Sequence, residues 1–378
     1  MAGERAKIGR ALVIGGGVGG MSAALSLARR GVEVELADAD PHWRAYGAGI
    51  SVTGLSLRAF ADLGILDEVR DKGFVGGGIR LRTVDGSVIM ETPPIPADAP
   101  PVARSGGIMR PVLHEIMSNR VRQAGVRVTL GAEIDQLTQE PDGVNVTFPD
   151  GRQERFDLVV GADGIFSKTR QALFPDAPKP RFTGQGCWRI VADRPEQVDR
   201  AEMWLGGPVK LGFNPVSRDK MYAFILEHVP GNPWFEPEDH LPHVAELLRP
   251  YGGFVPAIRD SLGESSLVNY RPLECLMLPA PWHNGRVVLI GDAVHATTPH
   301  MASGAGMAVE DGLVLAEELA AHDSVADALA AFTARRFERA RMVVENSVRI
   351  GEIEMAGGNQ MDANAMLGDT MQKLQQPY

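Results

Sequence analysis

The chain has 378 residues, of which 44% are hydrophobic and 23% are charged, a composition typical of a folded globular protein with about two domains. Its formal net charge of -10 disfavours nucleic acid and anionic membranes as main partners, because both attract a basic face. The two cysteines, Cys187 and Cys275, form no CxxC pair, so we expect neither a metal site nor a redox disulfide. No apolar run approaches the roughly 20 residues that span a bilayer, and we expect a cytoplasmic protein.

The first motif is a glycine-rich turn between an apolar strand and a helix. Residues 11–14 predict a buried strand, and the GGGVGG that follows satisfies G-x-G-x-x-G with Gly15, Gly17 and Gly20. A helical pattern and a second strand come next, and Asp38 ends that strand. Glycines in this position allow a pyrophosphate to approach the helix N-terminus, and an acid at the end of the second strand binds a ribose hydroxyl. The motif predicts a dinucleotide-binding βαβ unit, with a tight turn that binds nothing as the alternative.

Two arginines farther along the chain are candidates for phosphate binding. Arg44 comes shortly before the small residues at 47–49, and Arg110 directly precedes a predicted helix. Each side chain is placed either to bind a phosphate or a ribose, or to remain in solvent. Between them, residues 79–91 predict a β-hairpin, and the proline-rich residues 92–101 predict a loop between two domains.

A second transition from strand to turn lies at residues 156–164. The apolar strand there ends in GADG, so Asp163 and Gly164 stand at its carboxyl end. Strand patterns separated by glycine and proline then dominate residues 181–271. We expect these strands to form a mainly antiparallel sheet in a second domain.

The third motif is the stretch RVVLIGDAVHATTPHMASGAGMAVED at residues 286–311, which predicts a strand, a loop and a helix. The N–H groups and the positive dipole of a helix start favour negative charge on a ligand, and small residues let the backbone approach something flat. The stretch therefore predicts a site for a flat polar ligand. Its candidate residues are, in chain order, Gly291, Asp292, Pro299, His300, Gly304, Ala305 and Gly306.

The three motifs together resemble those of the class A flavoprotein monooxygenases, single-component hydroxylases akin to para-hydroxybenzoate hydroxylase and salicylate hydroxylase. The resemblance covers nearly the whole chain and is carried by GGGVGG near residue 15, GADG at 161–164 and IGDAVHATTPHMASGAG at 290–306. The last of these segments is similar to members that act on small aromatic or pyridine acids, such as 6-hydroxynicotinate 3-monooxygenase. The implied fold is α/β: a Rossmann-like FAD-binding domain of the glutathione reductase type, interleaved with a mainly antiparallel β-sheet substrate domain and followed by a C-terminal helix.

The resemblance also implies domain boundaries and a cofactor. The FAD-binding domain would comprise residues 1–75, 102–180 and 275–322, the substrate domain 76–101 and 181–274, and a C-terminal helical segment 323–378. The cofactor is FAD, with NADH or NADPH as a transient reductant, and we expect a monomer or a homodimer. The predicted cofactor-binding residues are Gly15, Gly17, Gly20, Asp38, Arg44, Arg110, Asp163, Gly164, Gly291, Asp292, Gly304, Ala305 and Gly306.

The predicted substrate side depends on fewer signals. His300, beside Pro299 in the loop that would face the flavin, is a candidate for substrate contact or for the general base, and a structural histidine is the alternative. Tyr222, Arg189 and Lys210 lie on predicted strands of the substrate domain and are candidates for binding a phenol or a carboxylate. Pro299 and Tyr222 join His300 as candidate catalytic residues.

The reaction implied by the resemblance is the hydroxylation of a small electron-rich aromatic compound by O₂. NAD(P)H reduces FAD, O₂ then forms a flavin C4a-hydroperoxide, and a ring carbon ortho or para to a phenolate attacks its distal oxygen. The protein has to exclude water, hold the ring and deprotonate the phenol. Two alternatives remain: a hydroxylase of a larger multi-ring substrate such as a polyketide or a tetracycline, and a flavin oxidase or dehydrogenase that inserts no oxygen.

Overall fold

The computed structural model describes residues 8–45, 47–93, 95–96, 98–264, 266–358 and 360–378. Residues 1–7 of the predicted FAD-binding domain, and Pro94 and Ala97 of the predicted interdomain loop, lie outside the described residues. The helices are α1 (Val18–Ala28), α2 (Gly54–Asp62), α3 (Leu66–Lys72), α4 (Arg110–Gln123), α5 (Lys168–Leu173), α6 (His240–Leu248), α7 (Val255–Ser261), α8 (Asp292–His295), α9 (Gly304–Ala321), α10 (Val325–Met355) and α11 (Gln360–Leu374).

Most of the strands are short, and they form four sheets among the described residues. The strands are β1 (Arg10–Ile14), β2 (Glu33–Asp38), β3 (Gly49–Val52), β4 (Phe74–Val75), β5 (Ile79–Arg82), β6 (Val88–Glu91), β7 (Gly106–Met109), β8 (Arg127–Leu130), β9 (Gln136–Glu140), β10 (Gly143–Thr147), β11 (Gln153–Phe156), β12 (Leu158–Gly161), β13 (Arg181–Asp193), β14 (Ala201–Trp204), β15 (Lys210–Pro215), β16 (Lys220–His228), β17 (Val268–Cys275), β18 (His283–Asn284) and β19 (Val287–Leu289).

The first layer is a six-stranded sheet in the order β18-β19-β12-β1-β2-β8. The four pairs from β19 to β8 run parallel, so the carboxyl ends of β1, β12 and β19 lie side by side. The apolar runs that predicted β1, β12 and β19 are buried because helices cover one face of this parallel sheet and the sheet of β9, β10 and β11 covers the other. All three sequence motifs therefore begin at one edge of one sheet, which confirms the predicted Rossmann-like arrangement.

Helices α1 and α9 pack closely on each other beside this sheet. A Cβ atom on Gly312, in the middle of α9, would lie 2.5 Å from the backbone nitrogen of Ala23 in α1. Glycine inside a helix costs about 1 kcal/mol relative to alanine, so its presence here is explained by the close contact between the two helices. The contact positions the N-termini of both helices at the edge where the three motifs meet.

The second layer is a seven-stranded sheet in the order β17-β13-β16-β15-β14-β5-β6. It is antiparallel except for the β14–β5 pair, so the prediction of a mainly antiparallel sheet is correct. Strand residues alternate between its two faces. Trp188, Ile190, Leu211, Phe213 and Ile225 belong to a hydrophobic core on one face, together with residues of α6 and α7. Their sequence neighbours point to the other face.

Some elements did not emerge from the sequence. Strands β3, β7 and β4 form a small antiparallel sheet, and helix α7 follows α6 in the substrate half of the chain. The small residues 47–50 had suggested only a site of close backbone approach. At the C-terminal end, α10 is a 31-residue helix that packs on both α9 and α11.

Two further properties bear on function. Among the helices of the described residues, none is both long enough and apolar enough to cross a membrane. Within the same residues, no group of three or more His, Cys, Asp or Glu side chains is arranged to hold a metal ion.

Candidate FAD and substrate cleft

Two glycines of the glycine-rich turn have no room for a side chain, and a third faces open space. Gly15 has a φ of +104°, and a Cβ atom there would lie 2.4 Å from the carbonyl oxygen of Ala162. A Cβ atom on Gly20 would lie 1.8 Å from the carbonyl oxygen of Gly15. Gly17, which precedes the first residue of α1, has nothing within 4 Å of its ideal Cβ position. The open space beside Gly17 lies at the N-terminus of α1, where a pyrophosphate would bind.

Asp38 holds the turn from the neighbouring strand. One of its carboxylate oxygens accepts a hydrogen bond from the Gly16 N–H at 2.6 Å, and the other accepts one from the Asp40 N–H at 2.8 Å. The Trp43 indole donates to the Gly16 carbonyl at 2.9 Å from the other side. Asp38 therefore supports the shape of the turn, and its contact with a ribose hydroxyl stays a prediction. Arg44 lies close by, 55% exposed, with its Nε 3.5 Å from Asp40.

Arg110 and Asp292 line a cleft between the two layers. Both side chains are exposed to solvent, yet desolvation is the first cause that lowers the pKa of Arg110 and raises the pKa of Asp292. A side chain on a convex surface is not desolvated in this way, so the accessible space around both groups must be enclosed by protein. Each group also interacts electrostatically with the other. The structure thus brings together two predicted cofactor residues from distant parts of the chain.

The inner face of the seven-stranded sheet forms the opposite wall of this cleft. Arg189 and Tyr222 alternate with the buried outer residues of β13 and β16, so they point inward. The positive charge of Arg189 is the second cause that lowers the pKa of Arg110, and Tyr222 contributes in the opposite direction. The Tyr222 hydroxyl is hydrogen-bonded to Ser51 of β3. Two predicted substrate residues are therefore close to the predicted cofactor residue Arg110.

Asp163 has a local structural role in the turn before α5. Its carboxylate accepts hydrogen bonds from the Ser167 hydroxyl at 2.5 Å and from the Thr169 N–H at 2.9 Å. Both oxygens are thus engaged within the turn, and direct contact of Asp163 with FAD stays a prediction. Gly164 has a φ of +80° and nothing within 4 Å of its ideal Cβ position, so it leaves space beside the turn.

A buried charge network supports the turn at Gly291 and the start of α8, where Asp292 lies. Gly291 has a φ of +61°, and its N–H donates to Asp311 Oδ2 at 2.8 Å. The same oxygen lies 2.6 Å from His295 Nε2, and Arg336 Nε donates to the other Asp311 oxygen at 2.8 Å. His295 therefore helps to position this segment through Asp311. Asp311 and Arg336 were not among the predicted site residues.

Glu310 extends this network towards the C-terminal part of the chain. Arg336 and Arg339 of α10 both donate to Glu310 Oε2, at 2.7 and 2.8 Å. Glu310, Asp311 and Arg336 are 0% exposed. The available signal was the pair Glu310-Asp311 inside an otherwise apolar stretch, because buried carboxylates require cationic partners. The network fixes α9, Gly291 and the short helix α8 to α10.

The His295–Asp311 pair should make stability depend on pH in two directions. Burial alone would raise the pKa of Asp311, but the charges of His295 and Arg336 lower it to about 2. Burial alone would lower the pKa of His295, but Asp311 raises it above its ordinary 6.5. The contribution of Asp311 to stability is therefore lost as the pH falls below 3.8 towards about 2. The contribution of His295 is present below 6.5 and lost as the pH rises through its folded-state pKa.

We expect the difference in unfolding free energy between the wild type and His295→Asn to be largest between about pH 4 and pH 6.5 and to shrink at higher pH. Urea unfolding at a series of pH values measures it. A difference that stays constant up to about pH 9 would contradict a raised histidine pKa.

The predicted helix start at 304–306 has mixed roles. A Cβ atom on Gly306 would lie 2.6 Å from Ser56 Oγ of α2, so this glycine is required for the packing of α9 on α2. The ideal Cβ position of Gly304 lies 3.3 Å from a methyl group of Thr297 in the preceding loop. The contact of Gly304, Ala305 and Gly306 with a flavin ring stays a prediction.

His300 and Lys210 both contact α10. The His300 side chain is buried, with Nδ1 2.9 Å from Thr298 Oγ1 and Nε2 3.4 Å from Glu354 Oε2. Lys210 donates to the other Glu354 oxygen at 2.6 Å. Both ring nitrogens of His300 thus face protein groups, and the charge of Lys210 is paired. These contacts favour the structural alternative for His300, and a direct role of either residue in substrate binding stays a prediction.

These residues fit FAD. The open space at Gly17 faces an N-terminal helix end that attracts phosphate, Arg110 adds a cation within the cleft, and the accessible Asp292 carboxylate can accept hydrogen bonds from the hydroxyls of a ribityl chain. Gly15 and Gly20 have no room for a side chain, so the turn keeps the shape that a pyrophosphate requires. The fold and this cleft define an FAD-binding flavoprotein with a second, substrate-facing sheet.

The chain belongs to the FAD binding domain family, whose model matches residues 10–347. It is 33% identical over 352 residues to the aurachin C monooxygenase/isomerase of Stigmatella aurantiaca, with 90% of this chain and 88% of that protein covered. It is 32% identical over 315 residues to the 2-heptyl-3-hydroxy-4(1H)-quinolone synthase of Pseudomonas aeruginosa, with coverages of 81% and 79%. The protein is accordingly a flavin-dependent monooxygenase.

Among solved structures, Klebsiella pneumoniae HpxO in complex with FAD and uric acid superposes with a TM-score of 0.80, at 23% identity and with 96% of each chain covered. At this identity the similarity concerns the fold, and it agrees with the two-layer architecture described above.

Proposed function

We propose that the protein is an NAD(P)H-consuming hydroxylase of a small, electron-rich aromatic or heteroaromatic compound that carries an acidic group. The observation that carries the proposal is the pair of guanidinium groups in one cleft: Arg110 beside the predicted FAD position and Arg189 on the opposite wall, close enough to lower the pKa of Arg110. Like charges repel, so two cations in an enclosed space favour two anionic ligand groups. A pyrophosphate accounts for one, and an acidic substrate for the other.

The relatives support an aromatic ring as the body of the substrate. The Pseudomonas relative is named for a hydroxylated quinolone, and the structural neighbour was solved with uric acid, so both ligands are heteroaromatic. Phe224 stands opposite Arg189 in the register of β13 and β16, so an aromatic side chain lies next to the cation on the inner face. A planar ring with a phenolate or carboxylate group matches this pairing.

Each part of the cleft would then have a distinct task. Bound FAD supplies hydride acceptance from NAD(P)H and activation of O₂. Arg110 and Asp292 hold it, Arg189 and Tyr222 orient the substrate, and the loop with Pro299 closes the flavin side. Enclosure by the two layers excludes water from the reacting atoms.

The test is a substrate panel on the purified flavoprotein, with NADH and NADPH as separate reductants. Phenolic acids, pyridine acids, urate and quinolones should be compared for stimulated NAD(P)H oxidation, oxygen uptake, hydrogen peroxide release and hydroxylated product. We expect at least one acidic aromatic compound to stimulate oxidation and to yield product. Stimulated oxidation with only hydrogen peroxide as product, for every compound, would leave an oxidase and refute the hydroxylase.

Arg189→Met should raise the KM for the anionic substrate by about 10- to 100-fold, because a hydrogen bond to a charged group contributes about 1.5–3 kcal/mol. The FAD content should remain that of the wild type. Arg181→Met, at the exposed start of the same strand, is the matched control and should leave the KM unchanged. A loss of FAD with unchanged KM would assign Arg189 to the cofactor instead.

A larger multi-ring substrate is the second candidate. Cys187, Leu226 and Leu273 form an apolar cluster on the inner face, in contact with Phe224. Such a strip could accommodate an apolar tail like the heptyl group in the name of the Pseudomonas relative. The quinolones in the panel decide between the two: a preference for alkylated over unsubstituted quinolones supports the larger substrate.

A further inference from the structure

A buried polar cluster joins three parts of the chain beside the cleft. Loop 297–303 contributes His300, the substrate-facing sheet contributes Gln185 of β13 and Lys210 of β15, and α10 contributes Glu354. His300 is 8% exposed, Gln185 is 3% exposed, and the Glu354 side chain is 10% exposed. Neither Gln185 nor Glu354 has a role in the function proposed above. We call these four residues the His300 cluster.

Three polar atoms in the His300 cluster lack hydrogen-bond partners. His300 Nε2 and Glu354 Oε2 are buried and lie 3.4 Å apart, facing each other, and neither atom has a hydrogen bond to any other group. Gln185 Oε1 is also buried without a partner. Buried polar atoms in native proteins are nearly always paired, so the approach of His300 Nε2 to Glu354 Oε2 is the interaction available to both atoms.

The close approach of α10 depends on a glycine. A Cβ atom on Gly351 would lie 2.7 Å from Gln185 Oε1 and 2.9 Å from His300 Cε1. Gly351 lies in the interior of α10, where glycine costs about 1 kcal/mol relative to alanine. The absence of a side chain there is what allows the sheet, the loop and the helix to converge.

Glu354 is the central charge of the His300 cluster. One of its oxygens accepts a hydrogen bond from Lys210 at 2.6 Å, and the other faces the His300 imidazole. A carboxylate in this position attracts the ammonium group and can accept a hydrogen bond from an imidazole N–H. Lys210 belongs to the sheet that forms the substrate wall, while His300 belongs to the loop that leads from Asp292 to the start of α9. Glu354 therefore links the substrate wall to the flavin-facing loop.

We propose that Glu354 is a positioning residue: it holds the His300 imidazole, and with it loop 297–303, against the substrate sheet, so that the flavin-facing loop and the substrate wall keep a constant separation. A displacement of about 1 Å between reacting groups can cost about 100-fold in rate, so this separation matters for oxygen transfer. The consequence for oxygen transfer rests on the proposed hydroxylase function, whereas the mechanical link does not.

Hydrogen–deuterium exchange of the holoenzyme, read by mass spectrometry, tests the link without any substrate. In Glu354→Gln, amide exchange should accelerate by about threefold or more in peptides that cover 297–303 and 209–213, with little change elsewhere. Glu352→Gln is the matched control, since Glu352 lies on the same helix, is exposed and pairs only with Arg349 among the described contacts. Exchange in Glu354→Gln that equals the wild type in both peptides would refute the link, and acceleration spread over the whole chain would show general destabilisation instead.

Turnover gives the second readout. With a hydroxylated substrate, Glu354→Gln should lower the ratio of product to NAD(P)H consumed and raise hydrogen peroxide, at unchanged FAD content. Lys210→Arg should retain most of the coupling and Lys210→Met should lose it, because only arginine keeps a positive charge beside the Glu354 carboxylate. Equal coupling in Glu354→Gln and wild type would overturn the positioning role. If no compound is hydroxylated, the proposed function fails, and the exchange experiment still decides the link.

Gly351→Ala provides a variant that leaves every charge in place. Its Cβ atom should displace His300 from Glu354, so the same two peptides should exchange faster although alanine favours the helix. A Gly351→Ala protein with wild-type exchange and higher thermal stability would show that the three segments are not tightly joined.

Discussion

Replacing Gly17 with alanine is expected to weaken FAD binding by at least about tenfold and to leave the apoprotein folded. The ideal Cβ position of Gly17 meets no protein atom within 4 Å, and its φ of -75° is accessible to alanine. The new methyl group would occupy the space where the pyrophosphate has to approach the start of α1. As the residue that caps α1, Gly17 contributes about 1 kcal/mol at most to the stability of the apoprotein.

Gly20→Ala provides the contrasting variant. Its Cβ atom would lie 1.8 Å from the carbonyl oxygen of Gly15, so the protein itself is disrupted, at a cost of about 1–3 kcal/mol or more. Fluorescence titration of apoprotein with FAD and thermal unfolding of the apoproteins separate the two cases. The assignment fails if Gly17→Ala binds FAD as tightly as the wild type, or if both variants lose stability equally.

Replacing Arg336 with methionine should lower the free energy of unfolding by about 3–5 kcal/mol, the cost of leaving buried carboxylates without their cation. Arg336 is fully buried and donates to both Asp311 and Glu310. Asp311 also accepts the N–H of Gly291, so the loop with Asp292 should loosen, and FAD should dissociate more readily. Equilibrium urea unfolding and FAD retention during gel filtration measure the two effects.

Arg349→Met on the same helix is the control for Arg336→Met. Arg349 is 61% exposed, and its pair with Glu352 at 3.1 Å lies on the surface. Exposed ion pairs contribute about 0–1 kcal/mol, so this variant should unfold almost as the wild type does. Similar losses in both variants would mean that burial does not distinguish the two arginines.

The motifs were predictable because each depends on neighbouring residues. A buried strand, glycines with no room for a side chain and a helix start are all encoded within about ten residues, and Gly15 and Gly20 occupy the positions that G-x-G-x-x-G requires. The flavoprotein class and the two-layer fold followed from three such segments in order. The small sheet of β3, β7 and β4 was missed because its strands are short and pair across about 50 residues.

The direction of the polar side chains was not predictable in the same way. The position of Asp163 after β12 was recognised, but its carboxylate turns to Ser167 and Thr169 because α5 begins there. His300 was identified as a candidate base, but Glu354 lies 54 positions along the chain and reaches it only through the packing of α10. Glu310 and Asp311 in an apolar helix gave no indication of which arginines would neutralise them.

The amino-acid sequence by itself therefore determined the class of the protein and the sheet edge at which its motifs meet, since these depend on short-range backbone geometry and apolar patterning. Only the tertiary structure decided which charged groups share the cleft, such as Arg110, Arg189 and Asp292, and which are neutralised by another protein group, such as Lys210 by Glu354. The physical reason is that a charge acts through the partners that surround it in space, and those partners come from helices and strands far apart in the chain.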